Sequence, residues 1–454
     1  MIQPSKNFYF LVLSFFCGFC SLLALDLQMT DLQSDYARFD AEEFVLEGAV
    51  FLENEWITAK ASEARLSKAI QSAKFDRLEL NEQVHFCFNQ NEKIVCNRAL
   101  LDAKDFKMSF FANPVSYFSQ LHQLKVEGAE LDVFFEKEST KIKELVAKDS
   151  VHIELGPFLT ALASNARYQE GFEGISLSLF SREESARIFD SRGLSFYAHS
   201  FNLQGKDRSE IEQVIAYDGR GCILGHLFPI NSKHELDFSA QEITWRDGRD
   251  LIELKKNVYL EQKDLMRIVA REILELGFEY YQGKYCVSAM QSFGDSDFFY
   301  LVPEHPVHIF CPGKALLEKS YANFEREKER QVYFEDDFCK IWSDRASIER
   351  EEGDDLTVCM RGEVKIATKD TQRELYALAD RLDFSLLNDR LVLKAQEDRK
   401  VLFFDKSKNM QLSAEEISIR WNPENPFEDV EANGKVRCFF QAQEMEEIHK
   451  IFSS

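Results

Sequence analysis

Few residues in this chain could do chemistry. His305, His308 and Cys311 lie close together and offer metal-ligand atoms, but their spacing matches no standard zinc set. Gly219-Arg-Gly221-Cys-Ile-Leu-Gly225 has the glycine density of a phosphate-cradling loop. It lacks the Lys-Ser/Thr pair and the helix start that such a loop needs, so it reads as turns between strands. Asp336-Asp337 and Glu351-Glu352 are sequence neighbours on solvated stretches, not an acid and a base held across a site. His226 and His234 are isolated. No nucleophile elbow, metalloprotease helix, P-loop or dinucleotide fingerprint occurs. The expectation is a chain that is not an enzyme and carries no metal and no cofactor.

What the sequence does carry is repetition. Leu46-Glu-Gly48-Ala-Val50-Phe-Leu52, Leu80-Asn-Glu-Gln-Val84-His-Phe86 and Leu254-Lys-Lys-Asn257-Val258-Tyr-Leu260 share one form. Met360-Arg-Gly362-Glu-Val364-Lys-Ile366 and Ala432-Asn-Gly434-Lys-Val436-Arg-Cys438 repeat it. An apolar or small residue is followed by a polar triplet, then Val, a spacer and another apolar residue. A second phrase accompanies the first: Ala240-Gln-Glu-Ile243-Thr-Trp245, Ala379-Asp-Arg-Leu382-Asp-Phe384 and Ala414-Glu-Glu-Ile417-Ser-Ile419, with Ala64-Arg-Leu66 a looser relative. Apolar residues alternate with charged or hydroxyl ones, which puts one strand face in a core and the other in water. Gly or Asn supplies permissive backbone at a turn or bend. Units of this kind bury their apolar faces only against their neighbours.

The 454 residues suffice for a substantial core, and 40 of them are Phe. Phe favours strands and fills cores, and it can also line a groove that protein leaves partly empty. The net charge is −23. That balance excludes nucleic acid, which requires clustered Lys and Arg, and argues against electrostatic docking on anionic lipid.

Residues 1–25 read as a signal peptide or amino-terminal anchor. Lys6 precedes an apolar run over 8–23, and Ala24 offers a small residue at the exit. The expected location is the periplasm, with cleavage after Ala24 or retention in the inner membrane. Cys17 and Cys20 fall inside the apolar run. Eight cysteines remain, of which Cys87 and Cys96 are close enough to bridge adjacent strands; buried free thiols are the alternative.

Along the chain, residues 26–155 form a first β-repeat region and 194–290 a second. Residues 354–454 form a third, closed by an amphipathic helix over 442–452. Residues 156–193 read as a helical or loop interruption, with helical potential at 158–168 and 183–189. Residues 291–353 read as an irregular insertion with a charged, helix-like stretch at 315–330, where Leu317, Tyr321 and Phe324 recur at helical spacing.

The quoted phrases resemble the OstA-like repeats of the lipopolysaccharide-transport proteins LptA, LptC and the periplasmic part of LptD. The best-matching stretches are 37–101, 236–275 and 374–440. The resemblance implies an all-β fold, an antiparallel β-jellyroll or β-taco solenoid, here with small helical interruptions. It implies passage of lipid acyl chains along an apolar interior. It also implies lipopolysaccharide, or a related lipid, and other transport proteins joined through edge strands as partners. The chain departs from the family in its length, in its two interruptions and in having no room for a membrane barrel. By alternation, the inward candidates for lipid contact are Val50, Leu52, Val84, Phe86, Val258, Leu260, Val364, Ile366 and Val436. The competing readings are an envelope adaptor with the same fold and no lipid traffic, and an exported glycosidase.

Overall fold

The repeated phrases fold as corners. The structure, a computed structural model, describes residues 31–440 except 40–42, 54–56, 68–76, 89–90, 103–104, 121–122, 137–141, 172–173, 183–184, 208–209, 224–234, 247–249, 282, 302–305, 351–355, 370–373, 386–388 and 421–428. The chain divides into two compact units, residues 1–217 with 246–248, and residues 218–245 with 249–454. Each is described by itself.

In unit 1 the strands Glu43–Glu53, Ile57–Ser67, Arg77–Phe88, Glu92–Asp102, Lys107–Ser119, Leu124–Phe135, Ile142–Leu155 and Leu159–Gly171 form an antiparallel meander. The register slips near the middle of every pairing, for example between Glu47 and Val50, between Asn81 and Val84, and between Phe111 and Val115. A slip of this kind bends a strand. Aligned across the meander, the slips make a corner that splits each strand into two halves. Positive φ marks the corner at Gly48, Glu82, Gln83, Asp149 and Ser150. One set of halves, wing 1a, includes residues 50–53, 84–88, 115–119, 124–127 and 151–155. The other, wing 1b, includes 43–47, 77–81, 107–111, 130–135 and 142–148. The wings face each other: Phe86 of wing 1a meets Phe110 of wing 1b at 5.5 Å, and Phe88 meets Phe135 at 5.8 Å.

Unit 2 uses the same device with shorter strands. Wing 2a runs through residues 236–239, Val258–Gln262, Met266–Ala270, Ser296–Tyr300, Val307–Cys311, Val332–Glu335, Cys339–Ser343, residues 364–368, residues 375–379, Val401–Asp405, Met410–Ala414 and Arg437–Phe440. Wing 2b runs through Leu251–Lys255, Ile273–Tyr281, Lys284–Phe293, Lys314–Glu318, Tyr321–Glu325, Arg345–Arg350, residues 356–361, residues 381–385, Arg390–Lys394, Glu416–Arg420 and Asp429–Asn433. The chain crosses the corner at Lys256-Asn257, Gly294, Gly362-Glu363 and Gly434-Lys435, all at positive φ. Carboxylates from the adjacent passage sit over these glycines. A Cβ on Gly362 would lie 2.9 Å from Cβ of Asp344, and one on Gly434 would lie 2.8 Å from Cβ of Glu415. In unit 1 the Asp35 carboxylate covers Gly48 and accepts from the Ala49 amide at 3.0 Å. The polar triplet of each phrase is therefore the corner, and the Val after it opens the next wing.

Each unit is thus an almost all-β, antiparallel strip with repeat-like pairing, not a closed barrel, and consistent with a solenoid-type fold. The helical interruptions expected from the sequence are absent among the described residues, where every assigned element is a strand. Residues 159–168 lie in the strand Leu159–Gly171, which pairs with Ile142–Leu155 on one side and with Ala186–Asp190 and Gly174–Phe180 on the other. Its alanines carry good helix propensity, but two flanking strands offer a full set of backbone partners, and tertiary pairing outweighs a weak local preference. Residues 315–330 begin with a hairpin of Lys314–Glu318 and Tyr321–Glu325. Ala315, Leu317, Ala322 and Phe324 are buried at a period of two, and the helical spacing of 317, 321 and 324 is coincidental. The expected helix at 442–452 and the leader at 1–25 lie outside the described residues.

Leu, Val, Ile and Ala make up most of the cores, and buried Phe rings join the wings. In unit 2, Phe298 meets Phe324 at 5.4 Å and Phe324 meets Phe334 at 5.9 Å, joining the wings. Cys87 and Cys96 do not bridge. Both are free thiols, and they point to opposite faces, because Cys87 pairs with Lys93 while Cys96 pairs with Val84. Burial pushes the Cys96 thiol up to about 12.

Candidate functional site

The inner faces of the wings are where a site can form, because alternation sends the apolar side chains there. Eight of the nine sequence candidates sit on these faces: Val50, Leu52, Val84 and Phe86 in wing 1a, and Val258, Leu260, Val364 and Ile366 in wing 2a. All eight are buried. Burial of an aliphatic side chain is equally the mark of an ordinary core. Val436 differs. It follows the corner at Gly434, precedes the strand Arg437–Phe440, and is 48% exposed.

An apolar opening lies elsewhere, between the wings of unit 1. Tyr117, Leu124, Val126, Ile153 and Leu155 line it from wing 1a. Ile142, Leu145, Ala166, Tyr168, Ile175, Leu177 and Ile211 line it from wing 1b and the strands that extend that wing. The cleft is largely filled by its own side chains: its free space is ≈ 30 Å³, room for about a water or two, and part of it is open to solvent, so an apolar ligand enters only as the wings part. Leu124, Leu155, Ile142 and Ile211 stand near the strand ends remote from the corner, so the cleft opens at the free margin of the wings. Its hydroxyls are those of Tyr117 and Tyr168, and the Tyr168 hydroxyl donates to Glu170 at 3.1 Å. Such a lining can exclude water from an apolar ligand and offers no acid, base or nucleophile.

No Phe lines this cleft. Where Phe is dense the wings close on each other. Phe86 borders a smaller gap of ≈ 10 Å³ with Leu78, Leu80, Ala99, Met108 and Phe110. Eight of the sequence candidates thus lie on the inner faces of the wings, away from this opening.

On the outer face of unit 1 a charged network crosses the strands. Ser109 Oγ donates to Asp132 Oδ1 at 2.6 Å, Lys148 Nζ reaches Asp132 at 2.9 Å and Lys107 reaches it at 3.0 Å. Burial pushes the Asp132 carboxyl up, but the Ser109 hydrogen bond and the two lysines outweigh it, and its pKa is lowered. The sequence candidates for metal binding are not brought together. His308 is on the outer face beside Asp297, at 2.8 Å, whereas Cys311 is buried on the inner face; His305, His226 and His234 lie outside the described residues. Cys222, Glu235 and Asp237 do converge, their ligand atoms within 4.8 Å of one another. Burial and the charges of Glu235 and Glu261 raise the Asp237 pKa.

No family model matches the chain, and no curated protein does. Among solved structures, it is similar to LptH, the LptA homologous periplasmic component of the lipopolysaccharide transport device of Pseudomonas aeruginosa. The alignment covers 96% of that chain and 30% of this one, at 12% identity and a TM-score of 0.25. The likeness is weak and partial. No helix among the described residues is long and apolar enough to cross a membrane.

Proposed function

We propose that this chain shields the acyl part of a lipid, lipopolysaccharide or a related amphiphile, in the periplasm, as a carrier or bridge and not as an enzyme. The observation that carries this reading is the apolar cleft at the free margin of unit 1. A closed pocket would have to engulf an acyl chain end-on. A cleft between two wings accepts it from the side, and each methylene taken out of water contributes about 0.8 kcal/mol. Val50, Leu52, Val84 and Phe86 lie on the same inner face of wing 1a as Ile153, so a chain extending from the cleft along the wing would meet them next. Val258, Leu260, Val364 and Ile366 offer the same kind of surface in unit 2, and Val436 stands beside the exposed strand Arg437–Phe440, with Phe439 and Phe440 beyond it. That strand pairs with Met410–Ala414 among the described residues and is the proposed point of edge-strand contact with a transport partner.

The test is photo-crosslinking with the full chain and a dansyl-labelled fatty acid or lipopolysaccharide. A photoreactive residue at Leu145, Ile153 or Tyr168 should capture the lipid, and one at His152 or Glu154 on the outer face should not. Equal capture from both faces, or none from the cleft with the protein folded, would replace the carrier reading with that of an envelope adaptor whose core is simply full.

A further inference from the structure

We propose that the outward face of wing 2a is a binding platform for a neutral glycan chain. Binary patterning sends polar side chains to the solvent side of such a sheet. Wing 2b obeys. Its outward row runs Glu275, Gln291, Leu316, Asn323, Ser347, Cys359, Asp383, Val392, Ser418 and Glu431, with no ring among them. Phe293 and Tyr321 do stand outward beside this row, but not within it, so the strip does not need a continuous run of outward rings in order to fold. Wing 2a nonetheless carries a run of them: Phe299 pairs with His308, and Tyr333 pairs with Trp342.

These rings touch in sequence across four strands. Phe299 and His308 stack at 4.6 Å with planes 5° apart, His308 meets Tyr333 edge-on at 6.1 Å, and Tyr333 tilts against Trp342 at 5.3 Å. Three strand spacings of about 4.8 Å make the run roughly 14 Å long. All four rings are half-buried. Two of them are also pinned. The Tyr333 hydroxyl donates to Glu335 two residues along its own strand at 2.7 Å, and His308 is held by Asp297 at 2.8 Å. Tyr259 repeats the device with Glu261 at 2.8 Å on the same face. A ring tied to a carboxylate two residues along lies down along the strand and does not stand off from it, so a ligand meets a surface already ordered.

The carboxylates select the occupant. A lipid surface or an apolar protein patch would force Asp297, Glu261 and Glu335 out of water together with Arg267 and Lys369, which pair with Glu261 and Glu335, and the desolvation of such ion pairs can exceed their mutual attraction. A nucleic acid would meet those acids and a net charge of −23. A neutral sugar chain matches both features: the C–H faces of its rings pack on aromatic faces, and its hydroxyls donate to carboxylates and accept from Lys340 and Lys365 alongside. This platform is independent of the lipid reading and stands or falls by itself.

The experiment is isothermal titration of the full chain with cellohexaose, maltohexaose and chitohexaose. At least one should bind with a Kd of about 1 mM or tighter. Trp342→Ala should weaken that binding at least about tenfold. Phe299→Leu keeps an apolar side chain of comparable bulk but no ring face, so it tests the same point with little risk to folding, and a similar loss is expected. Phe293→Leu, on wing 2b, should leave affinity unchanged. Absence of binding by all three sugars, or binding undiminished in both Trp342→Ala and Phe299→Leu with circular dichroism unchanged, would overturn the proposal. So would Trp342-dependent capture by phosphatidylcholine vesicles without sugar binding.

Discussion

Replacing Gly362 by Ala isolates what the corner requires. Gly362 has φ of +78°, a conformation that costs an L-residue about 1–2 kcal/mol. A Cβ there would also lie 2.9 Å from Cβ of Asp344 and closer still to its carboxylate, so the Asp344 side chain must move. That carboxylate accepts from Arg326 at 2.8 Å and from Gln331 at 3.1 Å, and each bond contributes about 0.5–1.5 kcal/mol net. The expected cost of Gly362→Ala is therefore roughly 2–5 kcal/mol. Gly283 supplies the control within the same unit. Its φ is +82°, but its missing Cβ would have no neighbour nearer than the Tyr280 hydroxyl at 4.0 Å. Gly283→Ala should cost only the backbone share, about 1–2 kcal/mol. Urea unfolding followed by circular dichroism measures both. The double variant Gly362→Ala/Asp344→Ala should be less destabilised than the sum of its single changes, because the clash has gone. If Gly362→Ala costs no more than Gly283→Ala, the carboxylate is not seated over the corner and the account of the repeat phrase is wrong.

Three further outcomes follow from the packing and charges. Asp132 has a lowered pKa, so its contribution is present above the unfolded value near pH 3.9 and is lost as pH falls through the folded one. Asp132→Asn should therefore lower the melting temperature at pH 7, and the gap from wild type should close toward pH 2; a constant gap would refute the charge-based explanation. Phe298→Ala removes a ring that joins the wings of unit 2 and should cost about 3–5 kcal/mol in urea unfolding, whereas a loss under about 1 kcal/mol would mean the wings are not held there. Cys438 is exposed while Cys96 and Cys311 are buried with raised pKa values, so iodoacetamide at pH 7.5 should label Cys438 first by peptide mass mapping; early labelling of Cys96 would contradict the closed core.

Much of the fold was legible because the corner imposes a chemical demand. Gly48, Gln83, Asn257, Gly362 and Gly434 sit in the polar triplet of each phrase, and each has positive φ. The corner at Asp149-Ser150 meets the same demand with residues that tolerate the left-handed region less readily, and it escaped notice. The helical reading of 158–168 failed because propensity is local, while the partners that set this segment are strands on either side of it. The position of the cleft was not legible. Alternation says which face a residue takes, but the separation of the facing wings depends on ring volumes contributed from elsewhere in the meander. Phe88 against Phe135, far apart in sequence, closes the interior at a point that neither residue announces alone.

The corner also decides how such a chain can acquire its structure. Every strand pairs with neighbours reached within a few tens of residues, as Lys255 does with Ile273 and Leu251 with Gly277, and both wings grow together at each crossing. Contact order is therefore low for a protein made of strands, and the loop-closure entropy that slows most β topologies is small at every step. A chain delivered from its amino terminus, by ribosome or by export channel, can consolidate behind the point of delivery without waiting for its last strand. It exposes at any moment only one growing edge to unwanted pairing.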